Sequence, residues 1–117
     1  MPSLATEILS NACDDFTGLY EVLWTLNRIH PDVPEDTKLA AAQHVVLTLL
    51  KLHFIQMYET TWQTPRYTPL LEAQADVVIR DPRSWNPPPQ EGLGLYYCCT
   101  ATREGERAYY AGNVQIR

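Results

Sequence analysis

The side chains that could do chemistry in this 117-residue chain are few and scattered. His30, His44 and His53 share no spacing with a serine or cysteine that would build a nucleophile and its base. His30 stands beside Pro31 in a predicted loop, and His53 closes a helical stripe and is expected in the core. There is no Cys-x-x-Cys and no His-x-x-x-His, so no zinc site is expected. The cysteines are Cys13, Cys98 and Cys99, an odd number without framework spacing, which argues against a disulfide-built secreted domain. Cys98 and Cys99 are adjacent in a predicted strand, so one should enter the core and the other lie near the surface. The carboxylates Asp14, Asp15, Asp32, Glu35 and Asp36 gather at helix starts, where capping explains them better than acid-base pairing. Gly92-x-Gly94 precedes a strand instead of following one, so it is no phosphate loop. The reading is therefore non-enzymatic: no catalytic residue, no metal ligand and no cofactor site.

The elements that would position these groups fit one domain spanning residues 1–117. Apolar residues make up 45% of the chain and charged residues 20%, enough for a globular core. No window approaches the roughly 18 consecutive apolar residues of a membrane span. Met1-Pro2-Ser3-Leu4 lacks a basic region and soon meets Glu7, so no signal peptide and a cytoplasmic location are expected.

Ser3 can cap a first helix to about Cys13, with Leu4, Ile8, Leu9 and Ala12 as its apolar stripe. Asp14 and Asp15 can start a second helix that ends near Ile29, its buried face formed by Phe16, Leu19, Tyr20, Leu23, Leu26 and Trp24; the two helices could run together as one bent element. After the break His30-Pro31-Asp32-Val33-Pro34, Asp32 and Glu35 resemble a capping box. The third helix then runs from about Pro34 to His53, with Leu39, Ala42, Val46, Leu49 and His53 on one face. Thr37, Ala40, Ala41, His44, Thr48 and Lys51 lie opposite.

Residues 54–62 alternate apolar and polar and predict a strand. Thr68-Pro69 predicts a helix start, and that helix should end before Asp81-Pro82. Trp85 should fold back as an anchor, ahead of the polyproline run Pro87-Pro88-Pro89. Gly94 to Ala101 predicts a second strand. Thr102 can cap a last helix from Arg103 to Ala111, stopped by Gly112.

Two passages resemble the winged-helix family. Val46-Leu47-Thr48-Leu49-Leu50-Lys51-Leu52-His53-Phe54-Ile55-Gln56-Met57-Tyr58 is similar to the end of a recognition helix that turns directly into the first wing strand, with His53 where that family often has Gly. Tyr97-Cys98-Cys99-Thr100-Ala101-Thr102-Arg103-Glu104-Gly105-Glu106-Arg107-Ala108-Tyr109 resembles the returning wing strand and the Thr-x-x-Gly-x-x-x-Tyr start of a closing helix. The resemblance implies an α+β winged-helix-like domain: three N-terminal helices, a two-stranded antiparallel wing carrying a helical insertion, and a short C-terminal helix. The departure is the connection from Trp62 to Gly94, far longer than an ordinary wing turn.

Two functions follow. The resemblance implies DNA binding, with Thr37, Ala41, His44, Thr48 and Lys51 meeting base edges and Arg66, Arg80 and Arg83 meeting phosphates. Charge opposes it. Residues 1–64 hold eight acids and three bases, whereas residues 65–117 hold six of each, so the half bearing the long helix lacks a basic footprint. The competing reading is a regulatory or adaptor domain that binds a protein partner or forms a homodimer. Three Trp and seven Tyr exceed what one small core readily encloses, and both types favour interfaces.

Overall fold

The computed structural model describes residues 3–88 and 94–114. Met1, Pro2, Pro89 and Gly92, named above, lie outside them. Among the described residues the chain is α+β, with five α-helices and one four-stranded antiparallel sheet of order β1-β4-β2-β3.

Helix α1 (Leu4–Asp14) starts as expected, with Ser3 Oγ accepting the Thr6 N–H at 3.2 Å. Ala5, Ile8, Leu9 and Ala12 are buried along it. The second helix does not begin at Asp14 and Asp15. Thr17–Gly18 instead forms β1, paired with Cys99 and Cys98, and α2 (Leu19–Ile29) follows. The two helices are therefore separate elements, because the residues between them are recruited by a sheet edge distant in sequence. The buried face of α2 is Leu19, Tyr20, Val22, Thr25 and Leu26, and Trp24 is 58% exposed.

Helix α3 (Glu35–Lys51) begins after Pro34, whose extended backbone makes Glu35 the first helical residue. Glu35 is then too early to reach back, so the expected Asp32–Glu35 box is not formed. Ala42, Val46, Leu49 and Leu50 carry the helix into the core. Lys38 is buried too; its Nζ donates to Asn27 Oδ1 at 2.7 Å, which ties α3 to α2 and satisfies a charge that burial would otherwise penalise. His53 is not a core residue. The chain reverses there at φ 62°, so its side chain stays exposed, and the Phe54 N–H closes the turn on Leu49 O at 3.0 Å.

Strand β2 (Ile55–Thr61) pairs along its length with β4 (Leu95–Ala101), from Ile55↔Ala101 to Thr61↔Leu95. Thr68-Pro69 is not a helix start. It is strand β3, paired with Glu59 and Tyr58, and α4 (Glu72–Arg80) starts after Leu71. Proline donates nothing to a ladder and is tolerated at this sheet edge. Trp85 does anchor the insertion: it closes a 3-10 turn (Pro82–Trp85), is 2% exposed, and its Nε1–H donates to Ile79 O at 2.9 Å.

The sheet has two unlike faces. Ile55, Met57 and Cys99 join Ile8, Leu19, Val46, Ile79 and Trp85 in one core beneath the helices. Each such fully buried aliphatic side chain contributes about 1.5–3 kcal/mol. Tyr58, Thr60, Tyr96 and Cys98 alternate onto the opposite face. Yet Cys98 is as completely buried as Cys99, against the expectation that one would lie near the surface. Phe16, just before β1, packs edge-on against Tyr58 at 5.3 Å; because β4 lies between β1 and β2, this contact spans β4.

Helix α5 (Arg103–Tyr110) is capped by Thr102, whose Oγ1 accepts the Gly105 N–H at 3.0 Å and donates to His53 O at 2.5 Å. A Cβ on Gly105 would stand 2.0 Å from Phe54 O. Backbone cannot yield as a side chain can, so Gly105→Ala is expected to lower stability by about 3 kcal/mol. His53→Gly, which relieves the left-handed backbone two residues from the start of β2, is expected to raise it by about 1 kcal/mol. Urea denaturation midpoints check both signs.

Candidate functional site

The outer face of α3 was expected to carry function, and the structure shows what surrounds it. Thr37, Ala41 and His44 are exposed and Thr48 is half-buried, its hydroxyl donating to His44 O at 2.8 Å within the same helix. Helix α4 packs against α3, and Gln43 Nε2 donates to Ile79 O at 3.1 Å and Arg80 O at 3.3 Å, satisfying carbonyls at the end of α4. An open depression of about 560 Å³ results, lined by Ala40, Gln43, His44, Thr48, Lys51 and Arg80.

His44, Thr48, Lys51 and Arg80 are thus brought together, with Thr37 and Ala41 further along the same helix. Both cations are engaged by one carboxylate: Arg80 Nε donates to Asp76 Oδ1 at 2.5 Å, and Lys51 Nζ stands 3.6 Å from Asp76 Oδ2. The Arg80 hydrogen bond, with the charges of Arg80 and Lys51, holds the Asp76 carboxyl below the ordinary carboxylate range. Arg83 is similarly occupied, its Nε and Nη2 bonding Asp81 at 3.1 and 2.8 Å. Arg66 is not brought to this face. It is exposed in the connection between β2 and β3 and lines a separate depression with Glu59 and Thr64.

A second surface was not expected from the sequence. The sheet face opposite the core carries linked aromatic rings. Phe16 stacks on Tyr67 at 3.9 Å and meets Tyr58 edge-on. Tyr20 meets Trp24 at 4.9 Å and Tyr96 at 5.8 Å, and Tyr96 lies 6.4 Å from Trp62. Trp24 and Trp62 are each 58% exposed and Tyr67 40%. The signal was present in the alternation Gln56, Tyr58, Thr60, Trp62 and in Tyr96, Cys98, Thr100. Helical spacing masks it, because that spacing puts Phe16, Tyr20 and Trp24 together on one buried face of a helix.

Acidic residues border these rings. A groove of about 470 Å³ is lined by Asp14, Asp15, Phe16, Glu21, Trp24 and Arg28. Burial, then neighbouring charge and polar groups, pushes the Tyr96 hydroxyl up to about 12, and burial followed by Glu21 raises that of Tyr20. Burial likewise lifts the Cys98 and Cys99 thiols to about 12, so both stay protonated and non-nucleophilic at neutral pH. Among the described residues no group of three His, Cys, Asp or Glu side chains is placed to hold a metal ion, and no helix is long and apolar enough to cross a membrane. The chain matches no protein-family model, no curated protein and no solved structure.

The depressed Asp76 carboxyl makes a pH-dependent contribution. Its stabilisation is fully present above the ordinary carboxylate pKa of the unfolded chain and is lost as pH falls through the lower folded value. Asp76→Asn should therefore flatten the acid limb of the stability curve, seen as a smaller drop in urea midpoint on acidification at low salt.

Proposed function

We propose that this chain is a winged-helix-like domain that acts by binding another protein and catalyses no reaction. The long helix α3 running straight into β2, the full-length pairing of β2 with the returning strand β4, and the Thr102-capped closing helix α5 support the winged-helix reading. The insertion that carries β3, α4 and the Trp85 anchor lies where such a domain has its wing turn.

One observation carries the choice of partner class. Asp76 pairs with both Lys51 and Arg80, so part of the positive charge on the face of α3 that would meet DNA is offset within the protein. Arg83 is committed to Asp81 in the same way. Glu35 and Asp36 stand exposed at the start of α3, where phosphates would pass. Non-specific DNA affinity comes chiefly from neutralising phosphates, and this face has little charge with which to do so. Exposed aromatic side chains of the kind that anchor protein interfaces, Trp24, Trp62 and Tyr67, instead border the sheet face opposite the core.

The reading is tested by gel shift at low salt with random-sequence duplex DNA. No retardation is expected at micromolar protein. Retardation that Lys51→Ala or Arg80→Ala abolishes would place DNA on α3 and overturn the proposal.

A further inference from the structure

We infer that the aromatic sheet face is the docking surface for a basic, arginine-bearing segment of a partner protein; this rests on the protein-binding reading above and names its site and ligand chemistry. Three observations converge on it. The first is the rings themselves. Trp24 on α2 and Trp62 just beyond β2 stand well out of the surface at the border of the sheet face opposite the core, so each presents much of its ring to a ligand. A guanidinium stacks on such rings through both its charge and its planar surface, and Trp is the strongest partner for it.

The second is charge. In the groove beside Trp24, the carboxylates of Asp14, Asp15 and Glu21 face one guanidinium, that of Arg28. Arg66, next to Tyr67 at the other border, is exposed. An arginine laid on Trp24 would have carboxylates within its reach, combining a cation–π contact with charge-assisted hydrogen bonds. The third is an orphan polar group on this same face. Thr60 is 1% exposed, and its Oγ1 has no hydrogen-bond partner among the described residues. It lies opposite Tyr96 in the β2–β4 register and two residues before Trp62 on the same side of the strand. A buried hydroxyl without a partner is costly, and a guanidinium N–H entering between the Trp62 and Tyr96 rings would supply the missing donor.

Other occupants fit less well. Bases of a single-stranded nucleic acid also stack on aromatic platforms, but their phosphates would run past Asp14, Asp15 and Glu21. Two copies apposed with the symmetry axis at the acidic groove would bring the same carboxylates together.

Fluorescence anisotropy of labelled oligo-arginine, titrated with the intact protein, tests the inference. Micromolar binding is expected, tighter than for oligo-lysine of equal length. Trp24→Ala and Trp62→Ala leave the charge unchanged, replace exposed side chains, and should each weaken binding by about tenfold. Asp15→Asn should weaken it less, and Thr48→Ala on α3 not at all. Unchanged circular dichroism confirms that each variant is folded. Equal binding by the parent and the double Trp24→Ala, Trp62→Ala variant would reduce the affinity to general charge attraction and overturn the inference, as would tighter binding of labelled oligo-thymidylate alone than of the arginine peptide. Sedimentation showing a dimer that Trp62→Ala dissociates would assign the face to a second copy, overturning the basic-segment occupant while leaving the protein-binding reading intact. Only DNA retardation through α3 overturns that reading.

Discussion

The register of β2 against β4 is the constraint on which the rest of this structure depends. It sets Met57 beside Cys99 and Tyr58 beside Cys98, and so decides which side chains meet the helices and which form the opposite face. A slip of β2 by one residue would turn Ile55 and Met57 out of the core and bring Tyr58 and Thr60 into it. The register is pinned at both ends. Phe54 O accepts the Thr102 N–H at 3.0 Å at one end, and Gly94 O accepts the Trp62 N–H at 2.9 Å at the other. The first of these corners is crowded, with the Thr102 hydroxyl joining the His53 carbonyl to the Gly105 N–H and Gly105 packed close to Phe54 O. The end of α3 and the start of α5 are therefore located together, and α5 reaches α1 through the Tyr109 Oη to Ser10 Oγ hydrogen bond at 3.1 Å.

The long connection between these two strands is structural. Its β3 extends the sheet, its Ala75, Ile79 and Trp85 enter the core, and its α4 lies along α3. The same packing changes the character of α3. Gln43 is occupied with the end of α4, and Lys51 and Arg80 share Asp76. A helix face that looks free when α3 is considered alone is partly an internal interface.

The sheet divides the molecule's roles. One side carries apolar residues and closes the core under the helices. The other carries rings that cover Cys98 and leave Trp24 and Trp62 exposed beside Asp14, Asp15 and Glu21. Burial of the two thiols follows from having both sheet faces covered, one by helices and one by aromatic side chains, and it keeps them chemically quiet. The surface that remains combines aromatic area with negative charge, the pairing that suits a cationic side chain.

Much of the architecture was legible in the residues because it rests on local physics. Ser3 and Thr102 cap their helices through their own hydroxyls, Asp81-Pro82 ends α4, and the alternation in residues 54–62 and 94–101 marks the two long strands. The imbalance of charge and the excess of Tyr and Trp were legible too. What required the tertiary structure is whatever depends on a distant partner. Thr17–Gly18 and Thr68–Pro69 are strands only because β4 and β2 present edges to them, and Phe16 reaches Tyr58 only because β1 is placed beside β4. Composition announced that aromatic surface would be left over. The pairing of β2 with β4 decided where, since side-chain alternation puts Tyr58, Thr60 and Trp62 on one face only once the strand has a neighbour and a core on its other side. Likewise the sequence by itself shows Lys51, Asp76 and Arg80 as separate charges, and the packing of α4 on α3 makes them one ion-paired cluster.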